Sequence, residues 1–214
     1  MVRQPRIGVL ISGDELVPPG TARQPGAIWE SNGTLLETML CNLGQSVSQR
    51  RVVADQPDAL RQCLRELAGD CDVVVSTGGV SAGDTDWIRS LVDDLGAVDF
   101  WKLFLRPGRP FAFGTVGDGV PFFGLPGNPV AAAITALQVL EGQSEPELFP
   151  RVMVELADPL SRRPGRPELA RARLETNAAG TLLARVDGSQ ASSRIGSLQQ
   201  ADLCLLYTSP SPRD

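Results

Sequence analysis

Hydrophobic residues between positions 5 and 143 follow two spacings that alternate along the chain. Continuous aliphatic runs such as Val73 to Val75 are typical of strands that are covered on both faces. Apolar residues three or four positions apart, such as Leu36, Leu40 and Leu43, indicate amphipathic helices. We therefore predict strands at 7–11, 47–53, 72–76, 98–104, 110–114 and 122–125, and helices that begin near residues 32, 55, 87 and 129.

This alternation of strands and helices predicts an α/β domain, in which a mostly parallel sheet carries helices on both faces. Ligands of such sheets collect at the carboxyl ends of the strands. The polar and glycine-rich segments of this chain follow predicted strands. We therefore expect these segments to meet at one edge of the sheet and to form a binding site there.

The pattern changes near residue 146. Short apolar segments at 151–156, 168–175, 181–186 and 201–206, joined by Pro and Gly turns, predict a small all-β domain. We assign residues 5–143 to the α/β domain and residues 147–203 to the β domain. Residues 204–214 resemble a translated sequencing adapter, so we treat them as a non-native tail and expect the natural chain to continue.

Composition narrows the chemistry. The 214 residues include no histidine, which excludes Ser-His-Asp and Cys-His catalysis and histidine metal ligands. The four cysteines form no CxxC pair, which argues against zinc and favours a reducing, cytoplasmic location. A net charge of −5 argues against nucleic-acid binding, and no apolar run is long enough to span a membrane. Any metal is expected to be a hard cation on carboxylates, with magnesium the first choice.

A glycine-rich loop follows the third predicted strand. Its small side chains let backbone N–H groups and hydroxyls approach a phosphate or a polar heterocycle closely, although a plain tight turn is the alternative. Asp84 to Asp86 then cap the next helix, and carboxylates beside an anion-binding loop suggest a bridging cation. The candidate binding residues of the loop are Gly78, Gly79, Val80, Ser81 and Gly83.

A second candidate loop precedes the last predicted helix of the α/β domain. It places a capping asparagine and a proline at the first helical position, which is either simple capping or an anion site at the free N–H groups. The candidate residues are Pro126, Gly127, Asn128 and Pro129.

Three cations stand close together among bulky apolar residues. They are Lys102, Arg106 and Arg109, and in an extended strand the first two would lie on the same side. A solvated face normally mixes in acids and contains fewer aromatic residues. We therefore favour anion binding for this segment.

Three acids each follow a predicted strand. Glu15, Asp55 and Asp86 could converge on one edge of the sheet, although each could also be an ordinary helix cap. Converging carboxylates opposite converging cations suit a magnesium-assisted reaction at a phosphate. Glu15, Asp55 and Asp86 are therefore the candidate magnesium ligands as well as catalytic candidates.

Five segments together resemble the molybdopterin molybdenumtransferase family, which includes MoeA and the gephyrin E domain. The resemblance covers about residues 5–203, and the pairing of the two glycine-containing loops is its most specific element. The fold that it implies is the three-layer molybdopterin-binding fold, followed by the family's small β domain. The matching segments are 12–16, 76–86, 100–103, 106–114 and 124–130.

The resemblance implies a reaction in which molybdate and adenylylated molybdopterin give molybdenum cofactor and AMP, with a divalent cation. It implies catalytic roles for the three acids and for Lys102 and Arg106, and substrate binding by Arg109 and the two loops. An arginine and a serine of the β domain face the family's site. Arg171 and Ser192 match them best.

This chain departs from the family in two respects. Arg106 replaces a lysine, which keeps the charge but changes its geometry. Members of the family also carry two N-terminal domains that help to form a homodimer and supply residues to the partner's site, and the resemblance leads us to expect that these two domains are missing from this chain. A molybdopterin adenylyltransferase, which makes the adenylylated substrate, is a further expected partner.

Two alternative functions remain open. The sibling enzyme molybdopterin adenylyltransferase shares the α/β fold, although the β domain and the loop at 126–129 favour the molybdenum-inserting enzyme. The other alternative is a non-catalytic molybdopterin-binding fragment or scaffold that binds a peptide. The three acids argue against a pure scaffold, because the fold alone does not require all of them.

Overall fold

The computed structural model describes residues 3–79, 87–141, 151–161, 165–186 and 188–207. Its first part is an α/β domain and its second part is a small β domain. In chain order the first part contains β1 (Ile7–Ser12), β2 (Leu16–Val17), β3 (Ile28–Trp29), α1 (Asn32–Asn42), β4 (Val47–Val53), α2 (Pro57–Asp70), β5 (Val73–Thr77), α3 (Trp87–Leu95), β6 (Gly96–Trp101), β7 (Ala112–Val116), β8 (Val120–Leu125) and α4 (Pro129–Glu141).

The central sheet has six strands in the order β4-β1-β5-β8-β7-β6. The pairs β1–β4, β1–β5 and β5–β8 are parallel, whereas β7 pairs antiparallel with both β8 and β6. The predicted mostly parallel sheet is thus confirmed, and the hairpin at one edge is the exception. Because β1, β5 and β8 run the same way, the loops that follow them lie at the same edge of the sheet.

Two hydrophobic clusters cover the two faces of the sheet. Successive residues of a strand point to opposite faces, so Leu10 joins the first cluster while Val9 and Ile11 join the second. The first cluster packs under α2 and α3, and the second under α1 and α4. Buried members of the first cluster include Leu60, Leu64, Leu67, Ile88, Leu91 and Phe122, and those of the second include Leu36, Leu40, Leu125, Ala132 and Ala136.

The four cysteines are all free thiols. Cys63 is buried in the first cluster on α2, where burial raises the pKa of its thiol to about 11. Cys41 lies on α1 but is exposed, so of these two helical cysteines only Cys63 belongs to the hydrophobic core. No helix among the described residues is both long enough and apolar enough to cross a membrane.

The segment around Lys102 differs from the prediction. β6 ends at Trp101 rather than at residue 104, because Lys102 has a left-handed backbone with a φ of 95°. The chain then folds into a closed loop, in which the Lys102 N–H donates to the Phe111 carbonyl at 2.8 Å and the Leu103 N–H to the Arg109 carbonyl at 2.9 Å. The prediction that Lys102 and Arg106 share one side of an extended strand is therefore wrong.

The small β domain contains β9 (Glu155–Leu156), β10 (Glu168–Thr176), β11 (Leu182–Arg185), the short helix α5 (Gly196–Gln199) and β12 (Leu203–Tyr207). Its strands lie in the order β12-β10-β11-β9. Cys204 to Tyr207 belong to β12 and pair with β10, and the prediction of a non-native tail that begins at Cys204 stays a prediction. Residues 208–214 lie outside the described residues.

The β domain is joined to the α/β domain by backbone hydrogen bonds. The Arg106 N–H donates to the Pro167 carbonyl at 3.0 Å, and the Leu169 N–H donates to the Arg106 carbonyl at 2.8 Å. Val130 at the start of α4 donates to the Ser192 carbonyl at 3.0 Å. The loop after β6 and the start of α4 therefore hold the β domain over the carboxyl ends of the strands.

Candidate functional site

A cleft of about 890 Å³ lies between the carboxyl edge of the central sheet and the β domain. The ends of β1, β5 and β8 form one wall, and the loop 105–110 and residues 190–193 of the β domain lie across from it. This is the edge where the parallel strands were expected to bring their polar loops together. Its size is in the usual range for a site that holds a small molecule.

Two of the three predicted acids line this cleft. Glu15 and Asp55 are both lining residues, and Asp14 accepts a hydrogen bond from the Asp55 N–H at 2.9 Å. Burial raises the pKa of the Asp55 carboxyl, and the neighbouring carboxylates of Asp14 and Glu15 raise it further. Asp55 forms no ion pair within the part of the chain that the structure describes. This group of acids is therefore suited to binding a cation.

The loop after β5 needs glycine for two reasons. Gly78 has a φ of 88°, and a Cβ atom on it would lie 2.4 Å from the Ser12 carbonyl oxygen. Gly79 has a φ of 61°, and its Cβ would lie 2.6 Å from Ile88. The end of β5 therefore packs directly against the end of β1, and Gly78 and Gly79 leave their backbone at the surface of the cleft.

The remaining residues predicted for this loop lie outside the described residues. They are Val80, Ser81 and Gly83, together with the third acid, Asp86. Their predicted roles stay predictions.

The second predicted loop lies in the same wall. Pro126, Gly127, Asn128 and Pro129 all line the cleft, and α4 begins at Pro129 as expected. A Cβ on Gly127 would be 3.5 Å from the Cα of Gly78, so the loops after β5 and β8 touch each other.

Asn32 links these two loops from below. Its amide nitrogen donates to the Thr77 hydroxyl at 2.9 Å and to the Gly127 carbonyl at 2.7 Å. Since the carbonyl can only accept, the atom that faces it is the amide nitrogen. Asn32 is 8% exposed and lines the cleft, so one buried side chain at the start of α1 sets the spacing of the loops after β5 and β8.

Two of the three predicted cations line the cleft and the third does not. Arg106 and Arg109 line the cleft, and Arg106 lies 3.9 Å from the buried carboxylate of Glu168. Lys102 is exposed and does not line the cleft, because its left-handed backbone turns the chain there. The loop is pinned at Gly108, where a Cβ would lie 2.4 Å from the Thr135 hydroxyl oxygen.

The β domain supplies a serine to the cleft, but its arginine is not the one predicted. Ser192 lines the cleft, whereas Arg171 is 2% exposed, does not line it, and lies toward the carbonyls of Ser189 and Ala191 at 3.5 Å each. Burial lowers the pKa of Arg171. Among the arginines of this domain that the structure describes, Arg166, five positions earlier, is the one that lines the cleft.

Magnesium was the expected metal, and the cleft contains the type of ligand that it prefers. Glu15 and Asp55 supply carboxylate oxygens, the ligands that hard cations prefer, and the pKa of Asp55 is raised chiefly by burial and further by the carboxylates of Asp14 and Glu15. Among the described residues no three acids or cysteines are gathered into a complete metal site. A third protein ligand would therefore have to come from outside these residues.

Sequence reasoning missed many residues of the cleft, among them Trp29, Glu30, Asn32 and Arg166. None of these four lies in a motif that the sequence analysis singled out. Glu30 is 3% exposed, pairs with Arg50, and accepts from the Gly33 N–H at 2.8 Å. Glu30 and Asn32 stand at the start of an amphipathic helix, where polar residues are common, so the local sequence contains no signal that they line a cleft.

Comparisons with known proteins agree with this architecture. Residues 8–149 match a family model described as "Probable molybdopterin binding domain", and residues 153–206 match "MoeA C-terminal region (domain IV)". A molybdopterin molybdenumtransferase of Haemophilus influenzae is 32% identical over 197 residues, which are 89% of this chain and 48% of that protein. The Drosophila melanogaster molybdenum cofactor synthesis protein cinnamon is 33% identical over 96% of this chain and 35% of its own length.

A solved structure shows the same likeness in three dimensions. The crystal structure of a molybdopterin biosynthesis MoeA protein from Pyrococcus horikosii aligns with a TM-score of 0.77 and 26% identity. The alignment covers 96% of this chain and 50% of that chain. This chain thus spans half or less of the length of the relatives described here.

Proposed function

The chain belongs to the MoeA family of molybdenum cofactor biosynthesis proteins, and from that premise we propose that its cleft binds adenylylated molybdopterin and molybdate. In this proposal the protein is a molybdopterin molybdenumtransferase: molybdate and adenylylated molybdopterin react to give molybdenum cofactor, and AMP is released. The observation that carries the proposal is the composition of the cleft, which is lined by the acids Glu15 and Asp55, by the glycine-containing loops after β5 and β8, and by arginines of both domains.

The proposal assigns the loops after β5 and β8 to ligand binding. The backbone of Gly78, Gly79 and Gly127 can approach a phosphate or a pterin without side-chain obstruction. The start of α4 adds the positive end of the helix dipole, although Pro129 has no N–H and the Val130 N–H already donates to the Ser192 carbonyl. Asn32 holds the loops at a fixed spacing, so binding does not have to order them first.

The cations of the loop after β6 and of the β domain are assigned to oxyanions. Arg106, Arg109 and Arg166 line the cleft and can pair with molybdate or phosphate oxygens through two parallel N–H groups. The Ser192 hydroxyl can donate to the same oxyanion. We assign no ligand contact to Lys102 or Arg171, which the sequence had suggested.

The acids are assigned to a divalent cation. Glu15 and Asp55 would hold Mg²⁺ at the edge of the cleft, with Asp86 as a third ligand from outside the described residues. When bound, the cation would neutralise charge that develops on the phosphate during release of AMP. Without it, Glu15 and Asp55 repel the ligand's phosphate, so we expect binding to depend on Mg²⁺.

Two further parts of the proposal concern the setting of the protein. We propose a cytoplasmic location, where the free thiols remain reduced. We also propose that the full-length protein is a homodimer that receives its substrate from a molybdopterin adenylyltransferase. The match of residues 153–206 to the MoeA C-terminal region is what favours the transferase over the adenylyltransferase.

The test is a product assay on the purified chain. The chain is incubated with adenylylated molybdopterin, molybdate and Mg²⁺, and released AMP is measured by chromatography. Molybdate-dependent AMP release supports the proposal. Formation of adenylylated molybdopterin from molybdopterin and Mg-ATP would instead identify an adenylyltransferase, and binding without either reaction would identify a non-catalytic binding module.

A further inference from the structure

Trp29 stands in the cleft with much of its indole uncovered. It is the second residue of β3, lines the cleft and is 51% exposed. Tryptophan is highly buried on average, since it carries a large apolar surface. A half-exposed indole in a concave site therefore offers apolar surface that a ligand can cover.

The indole is held in place although it is not part of the core. Its Nε1 donates to the Thr21 carbonyl at 3.1 Å, and the Arg23 guanidinium lies 4.6 Å from the ring centroid in a cation–π contact. The backbone of Trp29 is in turn fixed by the pairing of β3 with β2, opposite Val17. Arg23 lies against the ring, and the indole is still half exposed, so a ligand that covers the exposed part meets a side chain that is already held in place and loses little conformational entropy.

The surroundings suit a flat ring that carries N–H donors. Trp29 is followed in the chain by the buried cleft residues Glu30 and Asn32, and it shares the cleft with the carboxylates of Glu15 and Asp55. An aromatic face gives stacking that tolerates any heterocycle. Nearby carboxylates accept hydrogen bonds from ring amino groups.

We propose that Trp29 is a stacking platform for a heteroaromatic ring of the ligand. This proposal rests on the proposed function, in which the ligand carries two such rings, a pterin and an adenine. Their shared chemistry is a planar ring with exocyclic amino groups. Which of the two rings covers the indole is decided by the arms of the experiment.

The experiment is calorimetric titration of the full chain with adenylylated molybdopterin, AMP and neopterin, in the presence of Mg²⁺. The proteins are wild type, Trp29→Ala, Trp29→Phe and the control Trp87→Ala. Trp87 is 39% exposed at the start of α3 and does not line the cleft. Circular dichroism confirms that each variant is folded, and quenching of tryptophan fluorescence is recorded in parallel.

We expect Trp29→Ala to weaken binding of adenylylated molybdopterin about tenfold, as for loss of one stacked base. Trp29→Phe keeps a ring and retains most of the affinity, and Trp87→Ala changes nothing. Quenching by the ligand is largely lost in Trp29→Phe. A loss of affinity shared by AMP identifies adenine as the stacked ring, and a loss shared by neopterin identifies the pterin.

Two outcomes overturn the proposal, and they can be told apart. If wild type and Trp29→Ala bind adenylylated molybdopterin equally well, the stacking is wrong while the proposed function stands. If the folded wild-type chain binds none of the three ligands, the stacking and the proposed function both fail.

Discussion

Carboxylates at the two ends of the central sheet have opposite environments: within the part of the chain that the structure describes, one is ion-paired and the other is not. At the amino end, Asp72 precedes β5 and accepts from the Arg6 backbone at 2.7 Å and from the Arg6 and Arg3 guanidinium groups at 3.1 Å and 2.8 Å. At the carboxyl end, Asp55 follows β4 and is partly buried beside Asp14 and Glu15, with no ion pair among the described residues.

The pKa values of the two groups move in opposite directions. The hydrogen bonds from Arg6 hold the pKa of Asp72 well below its usual range, whereas burial raises the pKa of Asp55. The charged form is thus stabilised at one end and destabilised at the other. A carboxylate that is paired with arginines stabilises the fold by linking distant parts of the chain. A carboxylate in a cleft that is not paired with a cation is typical of a functional site.

The largest effect on stability and ligand binding is expected from a side chain added at Gly78, where the loop after β5 packs against the end of β1. Gly78→Ala would add a Cβ 2.4 Å from the Ser12 carbonyl, whereas Gly119→Ala, in the hairpin turn at the amino end, meets nothing within 4 Å. The φ angles of the two glycines are similar, 88° and 85°. Backbone strain should therefore lower the free energy of unfolding of both variants by about 1–2 kcal/mol. We expect Gly78→Ala to lose more than this and to abolish ligand binding.

Urea denaturation and calorimetry with adenylylated molybdopterin check this pair. Normal ligand affinity in Gly78→Ala would mean that the loop after β5 is not part of the binding site. An equal loss of affinity in Gly119→Ala would point to a global effect of strain.

Two arginines of the β domain differ in whether they line the cleft, and this difference predicts their effect on ligand binding. Arg166 lines the cleft, whereas Arg171 lies toward backbone carbonyls away from it. Arg166→Met should weaken binding of adenylylated molybdopterin about tenfold or more, since a hydrogen bond to a charged group is worth about 1.5–3 kcal/mol. Arg171→Met should change the affinity much less.

Calorimetry on both variants, with molybdate as a second ligand, measures the difference. A larger loss in Arg171→Met than in Arg166→Met would restore the residue that the sequence favoured. It would contradict the assignment made here.

Neutralising one carboxylate at each end should change stability in opposite directions. Asp72→Asn removes the acceptor for Arg3 and Arg6 and should lower the free energy of unfolding at neutral pH. Asp55→Asn removes a desolvated charge beside two like charges and should leave the free energy of unfolding unchanged or raise it. Denaturation midpoints in urea at neutral pH measure both, and a clear destabilisation by Asp55→Asn would contradict the account.

The smallest effect is the pH dependence of the two ends. Because the pKa of Asp55 is raised on folding, its contribution to stability is present below its ordinary value of 3.8 and is lost as pH rises through the folded value. Because the pKa of Asp72 is lowered, its contribution is present above 3.8 and is lost only as pH falls below that value.

If Asp55 holds Mg²⁺ as proposed, the cation would compete with the proton on its carboxyl group, so Mg²⁺ affinity should rise with pH across the window above 3.8. Titration of Mg²⁺ between about pH 4 and pH 7 would measure it, with Asp55→Asn as the control that lacks the slope. An affinity that is independent of pH in the wild type would separate Asp55 from the metal.

The sequence predicted the sheet because its strands are long apolar runs that only a doubly covered sheet can bury. It also predicted the edge at which Glu15, Asp55 and the loop at 126–129 meet, since parallel strands bring their carboxyl ends together. It failed at Lys102, where the left-handed backbone depends on the hydrogen bonds of a loop closed by Phe111.

The residues that sequence reasoning missed depend on contacts that no local pattern encodes. Asn32 matters because it reaches Thr77 and Gly127, which are far from it in the chain. Arg166 and Arg171 are close in sequence and alike in type, and only the fold of the β domain decides which of them faces the cleft. Such choices are made by tertiary packing and not by spacing.

The most direct test of the central claim is a calorimetric titration of adenylylated molybdopterin into wild type and Asp55→Asn, each with and without Mg²⁺. The account predicts that wild type binds, that Mg²⁺ tightens its binding, and that Asp55→Asn loses the effect of Mg²⁺ while it remains folded. Equal tightening by Mg²⁺ in both proteins, or no binding by the folded wild type, would contradict the claim that the acids at the carboxyl end serve the ligand site.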